Sequence, residues 1–183
     1  VTRPLRAAVL WFFAGALFVS SAFFVVSLQE KWFLSIEPYF GSPVVTPVPF
    51  LKLRRDSNGK GHFGASRNGG RKHKGIDLAL RVGEPVLAAK SGRVLFAGAE
   101  KGYGNWIEIA HPDGRQTRYA HLLSLAVEEG AWVRAGRLIG YSGKTGNADG
   151  PDILPHLHFE IRSGGDAVDP SKGFLDPSLV LAY

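Results

Sequence analysis

No cysteine occurs in the 183-residue chain, which excludes disulfides and thiolate-bound metals alike. Any metal must therefore be held by histidine and carboxylate, a donor set suited to zinc or a similar borderline cation. A domain of this length manages without disulfides if it builds a real core. No internal repeat is found, and beyond residue 50 no stretch sustains a 3.6-residue apolar period. Acid is scarce in one place. Between Lys52 and Lys74, eight basic residues (Lys52, Arg54, Arg55, Lys60, Arg67, Arg71, Lys72, Lys74) face one acid, Asp56. That run contributes much of the +6 formal charge. It suits a polyanion or a solvated Gly-rich loop, and alone it does not choose between them.

Charge is missing altogether between Ala7 and Leu28, a run of 22 residues rich in Phe, Val, Leu and Ala. As a helix it would be roughly 33 Å long, enough to cross a bilayer core. Arg3 and Arg6 precede it, so the N-terminus is expected in the cytoplasm and all that follows outside. A cleaved signal peptide is the competing reading, because Ser20-Ser21-Ala22 has small residues at the required spacing. The continuation through Phe23-Phe24-Val25-Val26 suits an uncleaved span. Residues 29–49 carry Pro38, Pro43, Pro47 and Pro49 and read as a semi-rigid linker. The expected organisation is an anchor over 1–28, a linker over 29–49 and a domain over 50–183.

From residue 50 the texture is all-β. Short Val-, Ile-, Phe- and Tyr-rich runs predict strands over 75–80, 85–89, 93–97, 106–110, 116–120, 137–141 and 156–162. His111-Pro112-Asp113-Gly114 reads as a hairpin turn. Residues 122–129 are the one candidate for a short helix. The architecture expected is an antiparallel β-sheet domain.

Four of the six histidines fall in three segments: His73-Lys74-Gly75-Ile76-Asp77, Tyr119-Ala120-His121-Leu122 and His156-Leu157-His158-Phe159-Glu160. In a strand, His156 and His158 share one face while Leu157, Phe159 and Ile161 share the other. Two imidazoles on one face and a core on the other describe a metal or catalytic wall. His73 and Asp77 would lie roughly 13 Å apart in a straight strand, too far to share an ion. If both bind one metal, the chain must bend at Lys74-Gly75.

His-x-x-x-Asp, then Tyr-Ala-His-Leu, then Pro-His-Leu-His-Phe-Glu resembles the lysostaphin-type (LytM-type) zinc metallopeptidases. The likeness runs from about Phe50 to Pro170 and includes Gly75, the Gly102-Tyr103-Gly104 turn and Gly143-Lys144-Thr145-Gly146. It implies His73, Asp77 and His158 as ligands of one zinc per domain, with His121 and His156 as the catalytic histidines. Three protein ligands and an open position belong to a catalytic zinc, which activates water at neutral pH. The implied function is endopeptidase action on cross-links or stem peptides of peptidoglycan, outside the cytoplasm at the inner membrane. Nucleic acid is not an expected partner. The alternatives are a non-catalytic envelope regulator that activates other wall hydrolases, or a zinc peptidase acting on non-wall peptides. Family regulators usually lack ligands, and this chain keeps the full set.

Two departures stand out. The stretch 147–154 before Pro155-His156 is longer than the family's short lead. Residues 67–72 also lack the tyrosine some members place before the first ligand, leaving Arg67 or Arg71 in its place. Ser142-Gly143-Lys144-Thr145 resembles the end of a phosphate-binding loop, but the required leading glycine falls on Leu138. His62 and His111 read as solvated polar residues. Glu160 reads equally well as a partner of a zinc ligand or as a surface carboxylate. Trp106 and Trp132 are candidates for a groove lining or for the core.

Overall fold

Period-two alternation gives each short segment one face to bury, and the strands that form pair edge to edge to satisfy their backbones. The computed structural model describes residues 45–49, 51–57, 59–172 and 180–181, all within the unit Ser42–Tyr183. In chain order the strands are β1 (Leu51–Lys52), β2 (Arg55–Asp56), β3 (Gly59–Lys60), β4 (Ile76–Ala79), β5 (Pro85–Leu87), β6 (Gly92–Glu100) and β7 (Gly104–Ala110). There follow β8 (Arg115–Leu125), β9 (Trp132–Val133), β10 (Leu138–Ser142), β11 (His156–Ser163), β12 (Asp166–Val168) and β13 (Val180–Leu181). Short 3-10 turns occupy Asn68–Gly70 and Gly146–Ala148.

Strands β4 to β12 form one nine-stranded sheet, antiparallel at every pairing. The order runs β12-β11-β8-β7-β6-β9; β4 pairs with β11, and β10 with β5 and β8. The all-β antiparallel expectation holds, and each of the seven expected strands is present. The short helix expected over 122–129 is not. There β8 continues to Leu125 because β10 pairs with it, Gly140 opposite Leu125 and Ser142 opposite Leu122. Sheet pairing outweighs the local preference of a stretch rich in Leu and ending in two Glu.

Leu157, Phe159 and Ile161 bury the core face of β11 against Ile76, Leu78 and Tyr119. The Tyr119 and Phe159 rings lie 5.3 Å apart. Pro47 and Val48 are buried too, and Val45 N–H donates to the Ala89 carbonyl. The end of the Pro-rich segment thus lies against the sheet. The anchor expected between Ala7 and Leu28 lies outside the described residues. Among those described, no helix is long and apolar enough to cross a membrane.

Gly75 makes the turn into β4. A Cβ there would be driven into the backbone carbonyl of Phe159 on β11. Gly75→Ala is expected to push β4 away from β11 at a cost of about 1–3 kcal/mol, the usual cost of overpacking. A thermal or urea melt reads this directly, and an unchanged melt would mean that the contact yields freely.

Candidate metal and catalytic site

β11 is the spine of the site. Its register places His158 opposite Asp77 on β4 and opposite Ala120 on β8. His73 lies just before β4, where the chain bends at Lys74-Gly75 as a shared ligand position requires. His73 Nε2, Asp77 Oδ1 and His158 Nδ1 form a triangle with sides of 3.0, 3.0 and 2.9 Å. Those sides are close to the roughly 3.3 Å edge of a tetrahedron with zinc-ligand bonds near 2.0 Å. Among the described residues this is the one group of three that could hold a metal ion, and all three are buried.

The surrounding hydrogen bonds turn lone pairs toward the centre. His73 Nδ1 lies 2.9 Å from the His62 carbonyl. A carbonyl only accepts, so Nδ1 carries the proton and Nε2 faces the cluster as a donor atom. His158 Nε2 likewise donates to Glu160 Oε1 at 3.0 Å, which leaves Nδ1 inward. Protons alone would satisfy the three converging atoms only in part, whereas one cation satisfies all of them. The residues therefore fit a borderline metal.

Asp77 Oδ2 turns away from the cluster and accepts from Arg54 at 3.1 Å and from Arg67 at 2.8 Å. Burial would raise the Asp77 carboxyl, but its interactions with the neighbouring His158 and His73 outweigh it and hold the group well below the usual range. Burial lowers the His158 imidazole; Asp77 and Glu160 together overcome that and lift it to about 9. A metal must therefore displace a proton here.

Glu160 is no surface carboxylate. It is 1% exposed and holds His158, the Tyr103 hydroxyl (2.7 Å) and Arg162 (3.1 Å). Burial opposes its ionisation, but these partners bring it down to about 2. Glu160→Gln removes the charge that fixes the His158 ring. Zinc affinity, measured by chelator competition, is expected to fall about 10- to 100-fold. Unchanged affinity would show that Glu160 does not orient the ligand.

His121 reaches the site by a break in β8. Tyr119 and Leu122 both face the core, a spacing of three that a regular strand cannot give. The extra residue is absorbed at His121, whose φ of 63° is the one positive value at a non-glycine among the described residues. The ring thereby turns from the core side to the His158 face, 4.9 Å from His156 and 5.8 Å from His158 between centroids. His121 Nδ1 donates to the Thr145 carbonyl at 2.9 Å and His156 Nδ1 to the Leu154 carbonyl at 2.7 Å. Each Nε2 is thus left with its lone pair. Gly104 and Gly146 let the Thr145 turn approach this closely, with positive φ and no room for a Cβ. Burial, joined by the neighbouring His156 and His158, pushes His121 down to about 3; burial also pushes His156 down to about 4, against the opposing pull of Asp77. Both are neutral near pH 7.

Five expected site residues therefore meet in one place. They line a groove of about 1200 Å³ whose walls include Ala148 and Ile153 from the long lead before His156. Arg67 does not stand free in place of the missing tyrosine, because its guanidinium is engaged by Asp77 and the Lys60 carbonyl. His111 is not solvated: it is buried, with Nδ1 on the Ser91 carbonyl and Nε2 on the Thr117 hydroxyl. The turn reading missed it because Thr117 and Ser91 close over the ring. Trp106 is buried and stacked on Phe96 at 4.4 Å, while Trp132 is exposed on β9, outside the groove lining. Arg54 and Tyr103 were not singled out from the sequence, since a basic run and a glycine turn carry no hint of their buried partners.

Over residues 71–170 the chain matches peptidase family M23. It is 37% identical over 143 residues to the DD-carboxypeptidase/endopeptidase Mpg of Neisseria meningitidis serogroup B, covering 78% of this chain and 30% of that protein. It is 40% identical over 134 residues to the murein hydrolase activator NlpD of Salmonella dublin, covering 72% and 33%. The chain thus spans about a third of the length of these relatives. Among solved structures, the catalytic domain of the antimicrobial peptidase lysostaphin from Staphylococcus simulans superposes with a TM-score of 0.52 at 37% identity, covering 63% of this chain and 88% of that one.

Proposed function

The chain belongs to peptidase family M23, and from that membership we propose that it is a zinc-dependent endopeptidase acting on the peptide cross-links or stem peptides of bacterial peptidoglycan. The observation that carries this is the convergence of His73, Asp77 and His158 within hydrogen-bond distance, beside two neutral histidines. Those three would hold the zinc, which when bound supplies Lewis acidity toward a peptide carbonyl and lowers the pKa of water.

The remaining steps belong to the protein. Arg54 and Arg67 hold Asp77 Oδ2, so Oδ1 stays inward. Glu160 fixes the His158 tautomer. With Nδ1 committed to a carbonyl, His121 or His156 offers Nε2 as the acceptor for the proton of the attacking water. Neither can donate from Nε2 until it has taken that proton. The imidazolium so formed hydrogen-bonds the developing oxyanion and then protonates the leaving amine.

The relative named as a murein hydrolase activator supports a second reading, in which the chain stimulates another wall hydrolase. Incubating the chain alone with purified cross-linked walls, and weighing the soluble fragments by mass, separates the two. Fragments from a split peptide support the enzyme; no fragments until a partner hydrolase is added supports the activator. We further propose that the run between Ala7 and Leu28 anchors the domain outside the cytoplasm. A reporter fused after Tyr183 is expected to be active only outside, and cytoplasmic activity would overturn that placement.

A further inference from the structure

The basic run between Lys52 and Lys74 finds two uses in the fold. Arg54 and Arg67 are spent on Asp77. Arg71, Lys72 and Lys74 are exposed and line the groove beside the ligand His73. Lys72 donates to a neutral partner, the Ser66 hydroxyl, and among the described residues forms no ion pair. A fourth exposed cation, Lys101, lines the same groove from the turn between β6 and β7. In the sheet order, Lys74 precedes β4 on one side of β11, and Lys101 lies on the other, beyond β8 in the turn that joins β6 to β7. Lys74 and Lys101 thus line the groove from elements on opposite sides of the strand that carries His156 and His158. Of the three carboxylates in the lining, Asp77 and Glu160 are buried and ion-paired, and only Glu100 is exposed. The open surface of the groove is positive, and a bound divalent cation would add to it.

From this arrangement we infer that the groove is selective for acidic peptides carrying a carboxylate on each side of the crossing point, with Lys74 and Lys101 as the selecting residues. This rests on the proposed peptidase reading, since it takes the groove as a peptide site. A nucleic acid would need a continuous basic track and stacking platforms. Here the cations line the same groove as the catalytic cluster, which suits side-chain anions of a peptide lying in it.

Exposed ion pairs are individually weak, so each lysine is expected to contribute about threefold in affinity and the two together about tenfold. The probe is a fluorescent cross-linked peptide dimer released from cell walls, used with its carboxylates free or amidated. Its binding to the zinc-loaded full chain is followed by anisotropy at low salt. The free form is expected to bind about tenfold more tightly than the amidated one, a preference that shrinks as salt rises. In the Lys74→Gln/Lys101→Gln double variant the ratio is expected to fall toward one. Equal affinities in the wild-type chain would overturn the inference. So would a preference that survives in the double variant, because it would then come from the metal or the arginines. Binding is read from the anisotropy on first mixing, before any cutting alters the probe. Failure to cut therefore bears on the proposed peptidase function, and the affinity ratio bears on selectivity alone.

Discussion

His158→Ala is expected to empty the metal site and abolish hydrolysis. His158 is one corner of the ligand triangle: its Nδ1 lies 3.0 Å from His73 Nε2 and 2.9 Å from Asp77 Oδ1. Its removal leaves two ligands, too few to retain a catalytic zinc, and leaves Glu160 buried without its imidazole. Metal analysis of the purified chain should fall from about one zinc per chain to nearly none. His158 also lies on the solvent-groove face of β11, opposite the core formed by Leu157, Phe159 and Ile161. The circular dichroism spectrum should therefore stay that of a β-sheet protein. Full occupancy in this variant would mean that the metal sits elsewhere.

His121→Ala and His156→Ala should separate rate from metal content. Neither imidazole belongs to the ligand triangle; His156 Nε2 lies 3.8 Å from Asp77 Oδ1, outside its 2.9–3.0 Å sides. Both present a lone pair at Nε2 because Nδ1 is held by a backbone carbonyl. Each substitution is expected to lower the rate of wall digestion by about 10²–10⁴-fold, the range for a general acid–base group, with zinc still bound. His121 carries an additional load, since its positive φ is held by the turn at Thr145. His121→Asn is therefore the better control for folding there, as asparagine tolerates that backbone region. If both alanine variants digest walls at the wild-type rate, the two histidines have no part in catalysis.

Most of the site could be read in the sequence because it is built on strand parity. His156 and His158 share a face by the period of two, and Leu157, Phe159 and Ile161 share the other, which the structure bears out. The bend at Lys74-Gly75 was legible as a condition: His73 and Asp77 can meet only if the strand begins after it, and β4 begins at Ile76. The position of His121 was not legible by this rule, which sends its side chain to the core. Only a break in the strand reverses it, and no residue type at 119–122 announces that break. Long-range pairing also decided what local texture could not. Residues 122–125 become strand because β10 lies beside them, and His111 is buried because Ser91 and Thr117 accept and donate around it. Arg54 and Arg67 looked like members of one solvated run until β4 brought Asp77 beneath them.

The central claim is that this chain cuts peptide bonds with its own metal site. The most direct test counts new amino groups appearing in purified, hydrolase-free cross-linked walls treated with the zinc-loaded full chain. The count should exceed the amount of protein added, stop when a chelator removes the metal and resume when zinc is returned. A fully zinc-loaded chain that releases no new amino groups, yet accelerates a separately added wall hydrolase, would contradict the account.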